Sequence, residues 1–263
     1  MNKIKLGILQ FPHKITLSEK VYTEYFKFLN SDSSYNSITI NPELFDFEIE
    51  KILNSYDGLN VTVPFKEKIM KYIDVIEDAS VLKAINNIYN KIGYNTDWIG
   101  FINSLKESNY NLNGKILIFG AGGVARAIVY GLYKLGIDKV TVINRTYERA
   151  LNLKVEFQKI INIIPYPLEK LNNELKDTSI FINASSLGMF NEKLPIEPSY
   201  LKNIKLVYDV VYYNTPLQEL AKELNINLIT GEKMWYYQAI ENLKIWNIYD
   251  ESKFKKAFQN FKK

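Results

Sequence analysis

The segment KILIFGAGGVARAIVYGL, residues 115–132, constrains the fold of this chain more than any other stretch. KILIF reads as a buried strand, AIVYGLYKL carries its apolar residues at helical spacing, and the turn between them is rich in glycine. Gly120, Gly122 and Ala125 fill the pattern G-x-G-x-x-G/A in the strand–turn–helix setting that gives the pattern its meaning. Glycines let a backbone approach a pyrophosphate closely, and the N-terminus of the following helix receives its charge. Gly120, Ala121, Gly122, Gly123, Val124 and Ala125 are therefore candidate cofactor contacts. A turn that merely packs helix on strand is the weaker alternative, because the next strand, KVTVIN, is also in place.

That strand runs into NRTYER. A site favouring NAD would place Asp or Glu here to accept from the ribose 2′-hydroxyl. Asn144, Arg145 and Thr146 stand there instead, with Arg149 a turn further on, and two guanidiniums with a hydroxyl suit a 2′-phosphate. NADP(H) is the expected cofactor. The competing role for Arg149 is an ion pair with Glu148 or Glu156 on an exposed helix.

Upstream the chain alternates strand and helix: KIKLGIL, SEKVYTEYFKFL, YNSITI, FDFEIEKIL and GLNVTV. Downstream come KVTVIN, a helix from Tyr147, SIFINAS, KLVYDVVY and NLIT, with a helical tail from Met234 to Phe261. Such alternation implies mostly parallel sheets with helices on both faces. The expected fold is α/β in two domains: a substrate-binding domain over 1–101, a Rossmann domain over 102–235, and C-terminal helices over 236–263 packing back on the first. With 263 residues, 47% of them hydrophobic, both cores can be filled.

Composition removes several chemistries. There is no cysteine and one histidine, His13, so thiolate nucleophiles, disulfides and multi-histidine metal sites are out of reach. His13 is expected in a surface loop. The net charge of +4 is spread along the chain, which argues against a nucleic-acid partner. The start of the chain resembles neither a signal peptide nor an anchor, and no apolar run approaches the ~20 residues of a membrane span. A cytoplasmic protein acting on a small molecule, as monomer or homodimer, is expected.

In NVTVPFKEK, Asn60 and Thr62 are expected on one face of a strand, Val61 and Val63 on the other, leading to Lys66 in the first turn of a helix. A cation in that place opposes the helix dipole by a few tenths of a kcal/mol up to ~1. By itself, Lys66 would be one member of a solvated charged face. Asp97, in GYNTDWIGF, would by itself be an N-cap.

Read in order, NVTVPFK, AIN, NTDWIG, GAGGVARA, NRT, NASSLGM, YDVVY, TPL and G-x-x-M followed by Gln238 resemble the shikimate dehydrogenase family over nearly the whole chain. The resemblance implies an NADP(H)-binding Rossmann domain and an active site in a cleft closed by domain motion. It implies reversible reduction of 3-dehydroshikimate to shikimate, with Lys66 as acid/base group and Asp97 orienting it. Thr62, Asn86, Tyr212 and Gln238 match substrate-binding positions, Met234 the methionine at the nicotinamide, and Asn183, Ser185, Gly188 and Gly231 positions lining the cofactor.

Departures fall where the family shows S-x-S, its hydroxyls on the substrate carboxylate. Here Thr16 and Ser18 stand, flanked by Ile15 and Glu19, and Thr16 with Glu19 also fits a capping box. Asn87 replaces a family threonine, and the loop between YDVVY and TPL is short. A paralogue acting on quinate and a non-catalytic NADP(H) sensor are the alternatives.

Overall fold

A computed structural model describes residues 3–212 and 214–261. Up to Tyr94 the chain forms β1 (Lys5–Gln10), α1 (Leu17–Phe28), β2 (Ser34–Thr39), α2 (Phe45–Ser55), β3 (Gly58–Val61), β4 (Asp74–Val75), α3 (Glu77–Leu82), β5 (Asn87–Tyr89) and β6 (Ile92–Tyr94). It continues through α4 (Asp97–Glu107), β7 (Lys115–Phe119), α5 (Gly123–Lys134), β8 (Lys139–Asn144), α6 (Tyr147–Phe157), β9 (Asn162–Pro167), α7 (Leu171–Leu175) and β10 (Thr178–Asn183). The last elements are β11 (Leu206–Asp209), α8 (Pro216–Glu223), β12 (Asn227–Thr230), α9 (Gly231–Ile245) and α10 (Glu251–Phe261). Two compact units result, one of the described residues up to Thr96 with those from Ala239 on, the other of Asp97–Gln238.

The first unit holds a six-stranded sheet in the order β2-β1-β3-β5-β6-β4. β1, β2 and β3 are parallel, whereas β5 runs antiparallel to both β3 and β6. The β5–β6 turn is made by Asn90 and Lys91, both with positive φ (49° and 60°), the backbone of a two-residue primed hairpin turn. Leu9, Leu59, Val61 and Ile88 on one face pack with Phe45, Ile49 and Leu53 of α2 and with Phe65 and Ile69. On the other, Trp246 lies so close that a Cβ on Gly58 would fall 2.6 Å from its Nε1, and that Nε1–H donates to the carbonyl of Ile88 at 3.2 Å. Tyr22 meets Trp246 edge-on at 5.5 Å, and Tyr25 meets Phe254 of α10 edge-on at 5.6 Å. The tail is two helices rather than one continuous run, broken at Asn247, whose φ of +57° no α-helix continues.

The second unit is a parallel six-stranded sheet, β12-β11-β10-β7-β8-β9. Counted from β7, this is the order of the doubly wound dinucleotide fold, with the switch point between β7 and β10. Ile116, Leu117, Ile118 and Phe119 are all buried, so β7 is covered on both faces and reads as an uninterrupted apolar run. β9 is an edge strand, where Pro165 and Pro167 cost no central ladder bonds; those prolines hide it from sequence reading.

Candidate active site

Register places one group of expected site residues beyond the carboxyl ends of β1 and β3. Thr16 and Ser18 follow β1, while Thr62 and Lys66 follow β3. Because β5 is antiparallel and Asn87 pairs with Asn60, Asn86 lies at the same sheet end. Backbone bonds knit these loops together: Thr62 N–H to Leu9 C=O (3.1 Å), Val61 N–H to Asn86 C=O (3.0 Å) and Ile85 N–H to Lys66 C=O (2.8 Å).

Two local expectations are corrected here. β3 ends at Val61, so the alternation does not extend to Val63, which is 71% exposed, and Asn60 faces a buried network rather than Lys66. Lys66 stands in a turn ahead of a 3₁₀ helix at Lys68–Lys71 rather than in the first turn of an α-helix. A single 3₁₀ turn has little dipole, so electrostatic opposition from a helix does not explain the lysine. His13 lies in an exposed loop, its Nδ1 3.1 Å from the Thr39 hydroxyl.

Thr16 is the N-cap of α1, its Oγ1 accepting from Glu19 N–H at 3.1 Å. The reciprocal half of the capping box is absent, since the Glu19 carboxylate accepts from the Ser37 hydroxyl. Asn86 Oδ1 accepts from Thr96 N–H (2.8 Å) and its Nδ2 donates to Thr96 Oγ1 (2.9 Å). Thr96 in turn donates to Asn242 Oδ1 at 2.7 Å, tying Asn86 to α9.

In the second unit, Gly120 has a φ of +113° and a Cβ there would fall 2.9 Å from the Ala184 carbonyl carbon, so the turn after β7 touches the loop after β10. At Gly122 and Gly123, by contrast, a Cβ would meet nothing within 4 Å, leaving open backbone at the start of α5. Ala125 is fully buried, as close packing of helix on strand requires. Asn144 Oδ1 accepts from Ala121 N–H (3.1 Å) and its Nδ2 donates to Thr146 C=O (2.8 Å), so it pins the glycine turn to the β8–α6 loop. Arg145, Thr146 and Arg149 are exposed there, and no ion pair joins either arginine to a described residue, Glu148 included; Glu156, the other rival partner expected for Arg149, pairs with Arg126 at 3.0 Å. An open glycine cradle beside two uncompensated guanidiniums fits a phosphorylated dinucleotide.

The remaining candidates sit on loops organised by Asp209, the buried last residue of β11, which sequence reading quoted without assigning a role. Its carboxylate accepts from Asn183 Nδ2 (2.9 Å), Thr215 Oγ1 (2.6 Å), Gln218 Nε2 (3.1 Å) and Val211 N–H (3.2 Å). Burial raises its pKa, and the four donors oppose the shift. Asn183 carries the arrangement onward, its Oδ1 accepting from Ser185 N–H (3.1 Å) and Oγ (2.7 Å) and its Nδ2 donating to Leu187 C=O (3.1 Å). Gly188, with φ +96°, packs against Thr215, the N-cap of α8, and Tyr212 is exposed beyond β11. Gly231 opens α9 where a Cβ would fall 1.9 Å from the Val210 carbonyl oxygen. Helices α4 and α9 touch at Gly100, where a Cβ would lie 2.5 Å from the Met234 carbonyl oxygen and 2.9 Å from Gln238 Cβ. Asp97, one turn before Gly100, stands on that same face of α4.

Residues 8–88 match the model of the shikimate dehydrogenase substrate binding domain, and residues 104–191 that of shikimate / quinate 5-dehydrogenase. A shikimate dehydrogenase (NADP(+)) of Thermotoga maritima is 43% identical over 97% of this chain and 98% of the relative. The chain belongs to the shikimate dehydrogenase family. A crystal structure of the Thermotoga maritima shikimate dehydrogenase superposes with a TM-score of 0.90 at 42% identity, covering 99% of this chain and 100% of that one. A shikimate dehydrogenase of Thermus thermophilus, solved in complex with NADP(H) and shikimate, gives a TM-score of 0.84 at 26% identity, covering 98% and 99%. Against this family background, Asp209 and the Asn60–Tyr35 pair are the residues that sequence reading left unassigned. For Asp209 the signal was present, an acid ending the apolar strand KLVYD six residues ahead of the Thr of Thr-Pro; for Tyr35 there was none.

Proposed function

We propose that the protein is a shikimate dehydrogenase catalysing the reversible NADPH-dependent reduction of 3-dehydroshikimate to shikimate. The reading is carried by full-length similarity to curated shikimate dehydrogenases, and in the chain itself by the open glycine cradle with unpaired Arg145 and Arg149 at the end of β8. Gly120 to Ala125 hold the pyrophosphate, while Asn144, Arg145, Thr146 and Arg149 hold the 2′-phosphate. The loop over Asn183, Ser185 and Gly188, with Gly231 and Met234, borders the nicotinamide end. NADPH supplies the hydride. Lys66 donates the proton to the substrate's carbonyl oxygen during reduction and takes it back in oxidation, and Asp97 orients Lys66 and a substrate hydroxyl. Thr16, Ser18, Thr62, Asn86, Tyr212 and Gln238 form the polar lining that fixes the ring.

In the cell this activity would serve chorismate and aromatic amino acid biosynthesis in the cytoplasm; among the described residues no helix is long and apolar enough to cross a membrane. Incubation with 3-dehydroshikimate and NADPH, with the product identified by chromatography against authentic shikimate, tests the reading. Shikimate accumulating with loss of NADPH is the expected result. Unchanged 3-dehydroshikimate overturns it, and faster turnover of 3-dehydroquinate reassigns the substrate.

A further inference from the structure

Asn86 stands at one end of a buried relay of polar side chains within the first unit. Asn86, Thr96, Asn242 and Tyr22 are all buried, the last two completely. They come from the loop before β5, the loop before α4, α9 and α1, and far from water the sense of each hydrogen bond matters.

That sense can be read from the two ends. A backbone N–H only donates, so the Asn86 atom 2.8 Å from the Thr96 nitrogen is Oδ1, and Nδ2 is the atom that donates to Thr96 Oγ1 at 2.9 Å. At the far end the Ala239 carbonyl only accepts. Burial keeps the Tyr22 phenol neutral, and it donates to that carbonyl at 3.4 Å, so its oxygen accepts from Asn242 Nδ2, also at 3.4 Å. Asn242 therefore turns Oδ1 toward Thr96, whose hydroxyl gives it the one hydrogen it has, at 2.7 Å.

That hydrogen has an alternative acceptor, since Asn86 Oδ1 is 3.3 Å from Thr96 Oγ1. If it went there, the hydroxyl would serve both ends of one carboxamide, donating to Oδ1 and accepting from Nδ2, and the two bonds could not both be straight. Asn242 removes the conflict by taking the hydrogen. The Asn86 carboxamide is then held at both ends, its oxygen by the Thr96 backbone and its nitrogen by the Thr96 hydroxyl.

We propose, resting on the shikimate dehydrogenase reading, that Asn242 is a positioning residue for substrate binding: through the Thr96 hydroxyl it holds the Asn86 carboxamide in the one sense that binds a ring hydroxyl of the substrate. It acts from inside the core, through Asn86.

Kinetics of Asn242→Ala, Asn86→Ala and the double variant, read as KM for shikimate and for NADP beside the melting temperature, test this. Asn86→Ala should raise KM for shikimate about tenfold or more and Asn242→Ala about three- to tenfold, with KM for NADP unmoved in both. In the double variant Asn242 has nothing left to hold, so KM for shikimate should equal that of Asn86→Ala alone. Asn242→Leu fills the same space without an acceptor and is read in the same way should the alanine variant not fold. Thr96→Val, which loses the hydroxyl and keeps the N–H, should match either. An unshifted KM for shikimate in the Asn242 variants or in Thr96→Val, or effects of Asn242 and Asn86 that multiply in the double variant, overturns the assignment and leaves the dehydrogenase reading standing. Wild-type protein that does not turn over shikimate overturns both.

Discussion

Lys66 and Asp209 show how differently two charged residues are written into a sequence. Lys66 is marked by its motif, NVTVPFK, but its setting is not: the periodicity suggested an α-helix start, and the chain makes a turn, in which the Lys66 carbonyl accepts from Ile85 N–H in the loop before β5, and then a 3₁₀ segment. The backbone at Lys66 is held by that bond. Replacing the lysine should remove the proton donor without disturbing the lining, so Lys66→Ala is expected to lower kcat by about 10²- to 10⁴-fold with a much smaller effect on KM for shikimate, read from steady-state rates. Asp209 is buried with four donors, from the end of β10, the loop after β11 and the first turns of α8, which only an acceptor-only group satisfies fully. Asp209→Asn turns an N–H toward those donors and should cost about 1–3 kcal/mol in denaturant titration. Its raised pKa also fixes a sign. A folded-state pKa above the unfolded one means the folded protein binds the extra proton, so the carboxyl's contribution is fully present below the unfolded pKa and is lost as pH rises through the folded value. The Asn variant should lack that fall in a stability-versus-pH profile, and an identical profile would remove Asp209 from the account.

At the scale of elements, the strand–glycine–helix unit over β7 and α5 was legible because every local signal agreed: an apolar run, glycines where the backbone must stay open, and a helical period after them. The short elements were not legible. β4, β5 and β6 have two or three residues each, too few for a period to show, and β9 carries two prolines that only an edge position permits. The loop after β8 was readable from NRTYER, although what the arginines avoid, pairing with Glu156, required the structure because Arg126 comes from a helix thirty residues earlier in the chain. Arg145→Ala should raise KM for NADP about tenfold or more and leave KM for NAD nearly unmoved, since the guanidinium has a partner only when the 2′-phosphate is present. Equal effects on both nucleotides would mean the loop merely packs. Gly231 has an equally sharp constraint: a Cβ 1.9 Å from the Val210 carbonyl oxygen cannot be accommodated, so Gly231→Ala should lower the melting temperature and impair α9 docking together.

For the molecule as a whole, the alternation of strands and helices made two α/β units predictable, and the order of the second sheet is the doubly wound one that a glycine turn after its first strand demands. Which residues the C-terminal helices bury was not legible, because Trp246 and Phe254 meet Tyr22 and Tyr25 across more than two hundred positions of sequence. Phe254 is fully buried, so Phe254→Ala should cost about 3–5 kcal/mol, seen as a lower urea midpoint, and a change below ~1 kcal/mol would show that α10 is dispensable to the first unit. The central claim is that one chain joins a lysine-based proton site to an NADP site for a ring carboxylate. Initial rates of nicotinamide reduction with shikimate or quinate, each against NADP and NAD, for the wild-type protein and Lys66→Ala, test it most directly. Rapid turnover with shikimate and NADP, slow turnover in the other combinations and loss of activity in Lys66→Ala are the predicted result. Activity that survives in Lys66→Ala, or wild-type protein that binds NADP yet turns over neither acid, would contradict it.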